Sequence, residues 1–299
     1  MNVREISEAE ANETIQAIYD DIKATLCVSY VPAPFRALAA HEAFFQQMWR
    51  SVEPTLTIYA VRAADDLRAS AVESAQTLDG RSALSGGERN DLIEALWVVH
   101  FVAPKTLLIA ASVEEALSTG TTGAASRVVW PQNKGVPRGM PQPSFVHPPE
   151  ASGTVGTTYS EIQETLSLPV LTDEWRALGI SSDELQNAWR AVRDLSGGEA
   201  YSQAVEELTS AARERGRRLP RRVLDLDPET LRARGVDDDA QGAIRETVSA
   251  LVPASAHEAI HTALWLRQLG SPSEAKRTGL QLLRRWSVPH GYRTDTVLA

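Results

Sequence analysis

The chain has 299 residues, 43% of them hydrophobic, which is enough for one large or two ordinary domains with a buried core. A formal net charge of -9 without long basic blocks argues against binding nucleic acid through its phosphates, and the lone cysteine, Cys27, excludes an internal disulfide and a zinc ribbon. The start, MNVREISEAEANE, is acidic and polar and no apolar run approaches the ~18 residues of a membrane span, so a soluble, unprocessed protein of the reducing cytoplasm, with no membrane partner, is expected.

Taken in order, the elements are helical. Residues 14–26 place Ile15, Ile18, Tyr19, Ile22 and Leu26 at three- and four-residue spacing, one apolar stripe on a helix. Residues 41–53 predict a second helix. A further pair is expected over Gly87–Val102 and Pro104–Leu117, split at Pro104 because proline suits a first turn but not a helix interior. Residues 128–156 are rich in Pro and Gly and lack periodicity, which reads as a linker that wraps the surface or covers something. Residues 158–166 repeat the first stripe, 182–195 form a helix opened by the cap signal Ser181 to Glu184, and Pro253 marks a break like that at Pro104. Ser85-Gly86-Gly87-Glu88 and Ser196-Gly197-Gly198-Glu199 read as turns between helices. VVW at 128–130 is too short for a strand, so the expected class is all-α.

The order itself repeats. At a shift of 140 residues, Tyr19, Ile22, Thr25, Leu26, Arg36, Ala37, Leu38, Gln46, Trp49, Arg50 and Val52 fall on identical residues from Tyr159 to Val192, without a gap. The architecture this predicts is two tandem helical repeats, 1–127 and 157–299, joined by the 128–156 linker and packed as a pseudo-dimer with a ligand site at their interface.

Where the repeats disagree, chemistry can be sought. Ala33-Pro34-Phe35 in the first copy faces Asp173-Glu174-Trp175 in the second, inside a kept Arg-Ala-Leu frame. A carboxylate held against apolar surface can serve as a general base near neutral pH. Thr172 or Asp173 also suits a helix N-cap, and the two readings are compatible. His257-Glu258-Ala259-Ile260-His261 fits H-E-x-x-H, which on a helix lets His257 and His261 share a zinc with Glu258 as base; no Gly-x-x-His follows, and the alternative is a packed or solvated helix face. His100, in an apolar run three residues before Ala103-Pro104-Lys105, is either a satisfied core residue or a pocket residue. Trp49, Trp97, Trp189 and Trp265 sit among aliphatics and read as core.

The residues Ile18-Tyr19-Asp20-Asp21-Ile22 through Leu26, Val28 and Val31, then Arg36, Leu38-Ala39, Trp49-Arg50, Pro104-Lys105 with Leu107-Leu108-Ile109, Pro137-Arg138-Gly139-Met140 and Asp173 with Ala177-Leu178, resemble the DehI-type (group I) 2-haloacid dehalogenases, also filed as the halocarboxylic acid dehydrogenase DehI family. The resemblance implies an all-α pseudo-dimer that hydrolyses small 2-haloalkanoic acids by direct attack of an activated water, with inversion and without metal, cofactor or covalent intermediate. It places the family's catalytic acid at Asp173 or Glu174, according to whether the Thr172-Asp173 pair or the Trp175 frame is aligned, and an aromatic against the substrate at Tyr30. At Ala103 the family carries an Asn that holds the attacking water; His100, one turn earlier, is the expected substitute. Ala103, Thr172, Trp175 and Lys105 complete the expected substrate pocket, with Lys105 or Arg176 supplying positive charge. A homodimer is also expected. Two other readings are a pocket repurposed for another small carboxylate or specialised metabolite, and a zinc hydrolase.

Overall fold

The structure is a computed structural model that describes residues 3–78, 84, 90–123, 131–220, 222–223, 225–269 and 272–287. Among these residues helices are the regular elements, with only two isolated β-bridges, Thr57 with Pro131 and Thr122 with Val223. The expected turn at 85–88, the residues 87–89 of the expected helix and VVW at 128–130 lie outside the described residues.

The helices α1 (Glu13–Leu26), α2 (Ala33–Leu38), α3 (Glu42–Val52), α4 (Ile58–Thr77) and α5 (Asn90–Thr119) are followed by an irregular stretch and then by α6 (Gly153–Thr165), α7 (Asp173–Leu178), α8 (Ser182–Ser196), α9 (Glu199–Arg217), α10 (Pro228–Ala233), α11 (Asp238–Leu269), α12 (Pro272–Ala275) and α13 (Gly279–Ser287). α1 starts where Asn12 accepts from the Ile15 N–H, and α8 where Ser181 accepts from the Glu184 N–H, each satisfying a donor that the first turn leaves open. α5 and α11 pack against each other at the centre, flanked by α4 and α9. The 30-residue α5 is long and apolar enough to cross a membrane, but its apolar window is wholly buried in the protein.

The expected break at Pro104 does not occur: α5 runs through Pro104 and α11 through Pro253. A proline inside a helix removes one N–H and tilts the preceding carbonyls off their partners. Side-chain donors reach two carbonyls of this turn. Arg68 Nη2 donates to Phe101 O at 2.9 Å, and the Thr106 hydroxyl donates to Ala103 O at 2.7 Å. Burial of the helix on all sides supplies the rest of its stability.

Hydrogen bonds recur at the 140-residue shift. Tyr19 donates to Ile6 O and Tyr159 to Val146 O; Trp49 donates to Asp21 and Trp189 to Glu161; the N–H groups of Ile6 and Val146 donate to the carbonyls of Arg36 and Arg176. α1 and α6 are each followed by a left-handed residue, Cys27 at φ 56° and Ser167 at φ 54°. The Pro/Gly-rich stretch from 131 crosses the surface from α1 toward α7, bonding Gln132 to Thr25 O, Gly135 N to Ala24 O, Pro141 O to Ser29 and Val146 N to Arg176 O.

Candidate active site

The two short helices α2 and α7 bring the divergent triplets into the interior, where Asp173, Glu174 and Trp175 are fully buried. Thr172 is the N-cap of α7, but its hydroxyl makes no capping bond. Nor does Pro32 cap α2. The open first-turn donors are met by distant carboxylates instead. Ala33 N donates to Asp173 Oδ2 at 2.8 Å, and Asp173 N donates to Glu258 Oε1 at 3.0 Å. Asp173 therefore caps the counterpart of its own helix, a placement that no local sequence pattern encodes.

The other oxygen of Asp173 accepts from Arg36 Nη2 at 2.8 Å, and Arg176 Nε stands 3.8 Å from it. Both guanidiniums also donate to a carbonyl five residues earlier, Arg36 to Val31 and Arg176 to Leu171, and both reach Glu5, which bridges them from the segment before α1. Arg176 Nη1 donates to His147 Nδ1 at 3.0 Å. Both oxygens of Asp173 are therefore engaged with buried donors.

Glu174 stands differently. Its Oε1 lies 3.0 Å from His261 Nδ1, while Oε2 is buried with no hydrogen-bond partner among the described residues. Burial raises its pKa to about 8, and the charge of Asp173 adds to the rise. Glu258, also buried and with Oε2 unpartnered, is pushed well above the usual carboxylate range, first by burial and then by Glu174 and Asp173. The hydroxyls of Tyr30, Thr172 and Ser255 are buried and unpartnered as well, and the Tyr30 phenol feels Asp173, Glu258, Arg36 and Glu174. Unpaired buried polar atoms are uncommon and costly, so such a group between α2, α7 and α11 marks a place built for something other than stability. Trp175 turns toward α8 and α11, edge-on to Trp189, Trp265 and His261, and so packs the wall behind the acid.

The remaining expected residues sit elsewhere. His100 has Nε2 3.0 Å from Ala275 O and Nδ1 3.1 Å from the Thr262 hydroxyl. A carbonyl only accepts, so Nε2 carries the proton and neither nitrogen is free to hold a water. Burial lowers its pKa to about 3, so it is the satisfied core residue of the two readings. Lys105 donates to Leu26 O at 2.6 Å and lies over the Phe101 ring; burial lowers its pKa to about 7, and its charged neighbours are Arg68 and Asp65 rather than the acids. Ala103 is fully buried in α5, which packs on α7. The zinc reading does not fit the residues present. Tyr201 places its hydroxyl 2.6 Å from His257 Nδ1 and 2.7 Å from His261 Nε2, the second nitrogen of His261 faces Glu174, and Glu258 bonds the Asp173 backbone. No third His, Cys, Asp or Glu completes a metal-binding group among the described residues.

This geometry can be set beside known proteins. Residues 29–175 match the family model described as halocarboxylic acid dehydrogenase DehI. The chain is 28% identical over 228 residues to an (R)-2-haloacid dehalogenase of Pseudomonas putida, a span covering 70% of this chain and 74% of that protein. It is 26% identical over 234 residues to a configuration-inverting 2-haloacid dehalogenase of Alcaligenes xylosoxydans xylosoxydans, covering 72% and 77%. The chain is thus similar to the DehI family across its first half and the start of its second. A solved D-2-haloacid dehalogenase mutant in complex with D-2-CPA superposes with a TM-score of 0.81 at 23% identity, over 90% of this chain and 96% of that one, which establishes the shared fold.

Sequence reasoning did not find Glu5, Ser255 or Tyr201 and gave Glu258 a different task. Arg36 and Arg176 were visible as an identity between the repeats, and that was the available signal for the guanidinium pair. Tyr201 lies outside the matched window and had none.

Proposed function

We propose that this protein hydrolyses small 2-haloalkanoic acids, with Glu174 as the general base that activates the attacking water. The observation that carries the reading is the Glu174 carboxyl: buried, raised to about 8, and with one oxygen unpartnered among unpartnered hydroxyls. A base whose pKa lies near the working pH combines availability with proton affinity. Asp173 is the weaker candidate for this role, since Arg36 and Ala33 N already occupy its oxygens; it holds α2, α7 and Arg36 in register.

Displacing halide from a carbon next to a carboxylate requires that anionic substrate and leaving group not face uncompensated negative charge. The site meets this by neutralisation. Arg36 balances Asp173, and burial pushes Glu258 toward its neutral form, in which its Oε2 donates to the substrate carboxylate. Tyr30, Thr172 and Ser255 supply hydroxyls to orient the acid and the water, the task that Ala103 has no group to perform. Two helical copies, joined by the Pro/Gly-rich stretch, would close around this site, only the second carrying the acids. The water's oxygen attacks the carbon as the halide leaves with its bonding pair, Glu174 takes the water's proton, and no enzyme ester forms.

The test is halide release from 2-chloropropionate. Activity that survives a chelator and disappears in Glu174→Gln supports the proposal; full turnover in that variant refutes it. A second reading is favoured by Ala103 alone: the same pocket acting on another small carboxylate, which would give thermal stabilisation by carboxylates without halide release.

A further inference from the structure

Hydrolysis would leave one proton on a carboxyl with no exposure to solvent, and four side chains form a single file leading away from it. Glu174 Oε1 lies 3.0 Å from His261 Nδ1, His261 Nε2 lies 2.7 Å from the Tyr201 hydroxyl, and that hydroxyl lies 2.6 Å from His257 Nδ1. α11 supplies both imidazoles one turn apart, and α9 supplies the phenol between them. The three rings are stacked, with interplanar angles of 24° for Tyr201 and His257, 16° for Tyr201 and His261 and 28° for the two histidines. Glu174 and His261 are fully buried and Tyr201 nearly so, whereas His257 is partly exposed. The H-E-x-x-H spacing is therefore occupied, but by a phenol rather than an ion.

We propose that this file conducts the proton taken from the attacking water out of the buried site, making His261, Tyr201 and His257 positioning residues for turnover. It rests on the reading of Glu174 as base. In the outgoing step the Glu174 carboxyl turns to bring the proton taken up at its free oxygen to His261, and it passes to Nδ1 while the Nε2 proton of the same ring passes to the Tyr201 oxygen. The proton already on Tyr201 moves to His257 Nδ1, and the proton on His257 Nε2 goes to bulk water. Each intermediate group gains one proton and loses one, and Glu174 is returned as a carboxylate. Rotation of the Tyr201 hydroxyl and exchange of the ring tautomers restore the starting polarity. Burial makes imidazolium costly at both histidines, so the hops are coupled and no charge is stored along the way.

A structural role alone would affect folding and leave proton movement untouched, and two variants separate the cases. Tyr201→Phe keeps the stack and removes the hydroxyl; His257→Asn alters only the partly exposed end. Each is expected to lower kcat for halide release from 2-chloropropionate by about tenfold with KM unchanged, and to raise the solvent deuterium isotope effect on kcat as proton departure becomes limiting. If both variants fold and keep the wild-type kcat and isotope effect while Glu174→Gln is inactive, the relay is refuted and the base stands. Turnover in Glu174→Gln sinks the base, and the relay with it. A readout independent of activity uses 15N-labelled histidine. The His261 and His257 ring resonances should shift with one common midpoint, that of Glu174, and Tyr201→Phe should uncouple His257 alone; separate midpoints in the unmodified protein would overturn the proposal.

Discussion

α2 and α7 share a length, a backbone setting and an arginine that folds back onto a carbonyl five residues earlier, yet one offers Ala33-Pro34 and the other Asp173-Glu174. In α2 the first-turn positions are chemically silent, and the helix relies on its counterpart for an acceptor. In α7 the same two positions have separated into an anchoring acid and a poised acid. Adjacent carboxylates thus have different surroundings: Asp173 meets a guanidinium and an N–H, while Glu174 meets one imidazole and lies beside the Thr172 hydroxyl, buried from water. The two helices share a frame, and under the proposed reading the difference between their side chains supplies reactivity.

The sharpest way to break this contrast is Glu174→Gln, which should cut halide release by about 10²–10⁴-fold, the usual contribution of a general base, while the equivalent change in the first copy, Pro34→Ala, leaves turnover within about twofold. Equal losses at both positions would mean that the halves are not functionally distinct.

Next in size are two expected stability effects. Under the opposite roles given to the neighbours, Asp173→Ala leaves Arg36 with Glu5 as its carboxylate partner and uncaps α2, so urea unfolding should register a loss of about 3 kcal/mol. Glu174→Gln should instead stabilise at high pH. A carboxyl raised from 4.5 to about 8 is neutral in the folded state over a range where the unfolded chain has already ionised. The folded state then binds more protons, so stability is fullest below about 4.5, falls through the window and levels off above about 8, by up to roughly 5 kcal/mol for this group. Unfolding free energies at pH 5 and pH 9 for both proteins would measure it, and a pH-independent difference would contradict it. By the same shift, kcat/KM should rise with pH around 8.

The two histidines on α11 set the smallest expected effect. Prolonged chelation should leave halide release unchanged, because their facing nitrogens are engaged by Tyr201. A loss of activity restored by zinc would return the H-E-x-x-H spacing to its metal reading.

What was legible in the sequence follows what is local. The stripes of α1, α3 and α8 and the Asn12 and Ser181 caps depend on neighbours within a turn, and the Asp173-Glu174 replacement stood out because a second copy was there to compare. Pro104 misled because α5 is held by burial against other helices, which a local rule for proline does not see. His100 was ambiguous for the same reason: Thr262 and Ala275 approach it from beyond 160 residues away in sequence. The partition of duties between Asp173 and Glu174 was equally hidden, since it is written by Arg36, Ala33, His261 and Glu258.

Glu5 belongs to no helix, yet both Arg36 and Arg176 donate hydrogen bonds to its carboxylate. Trimming the leading tail, or fusing a tag that drags on it, would loosen the two guanidiniums together and shift the electrostatics behind Asp173 from a distance. The most expendable-looking stretch of the polypeptide is therefore a poor place to cut when the protein is shortened for crystals or for assays.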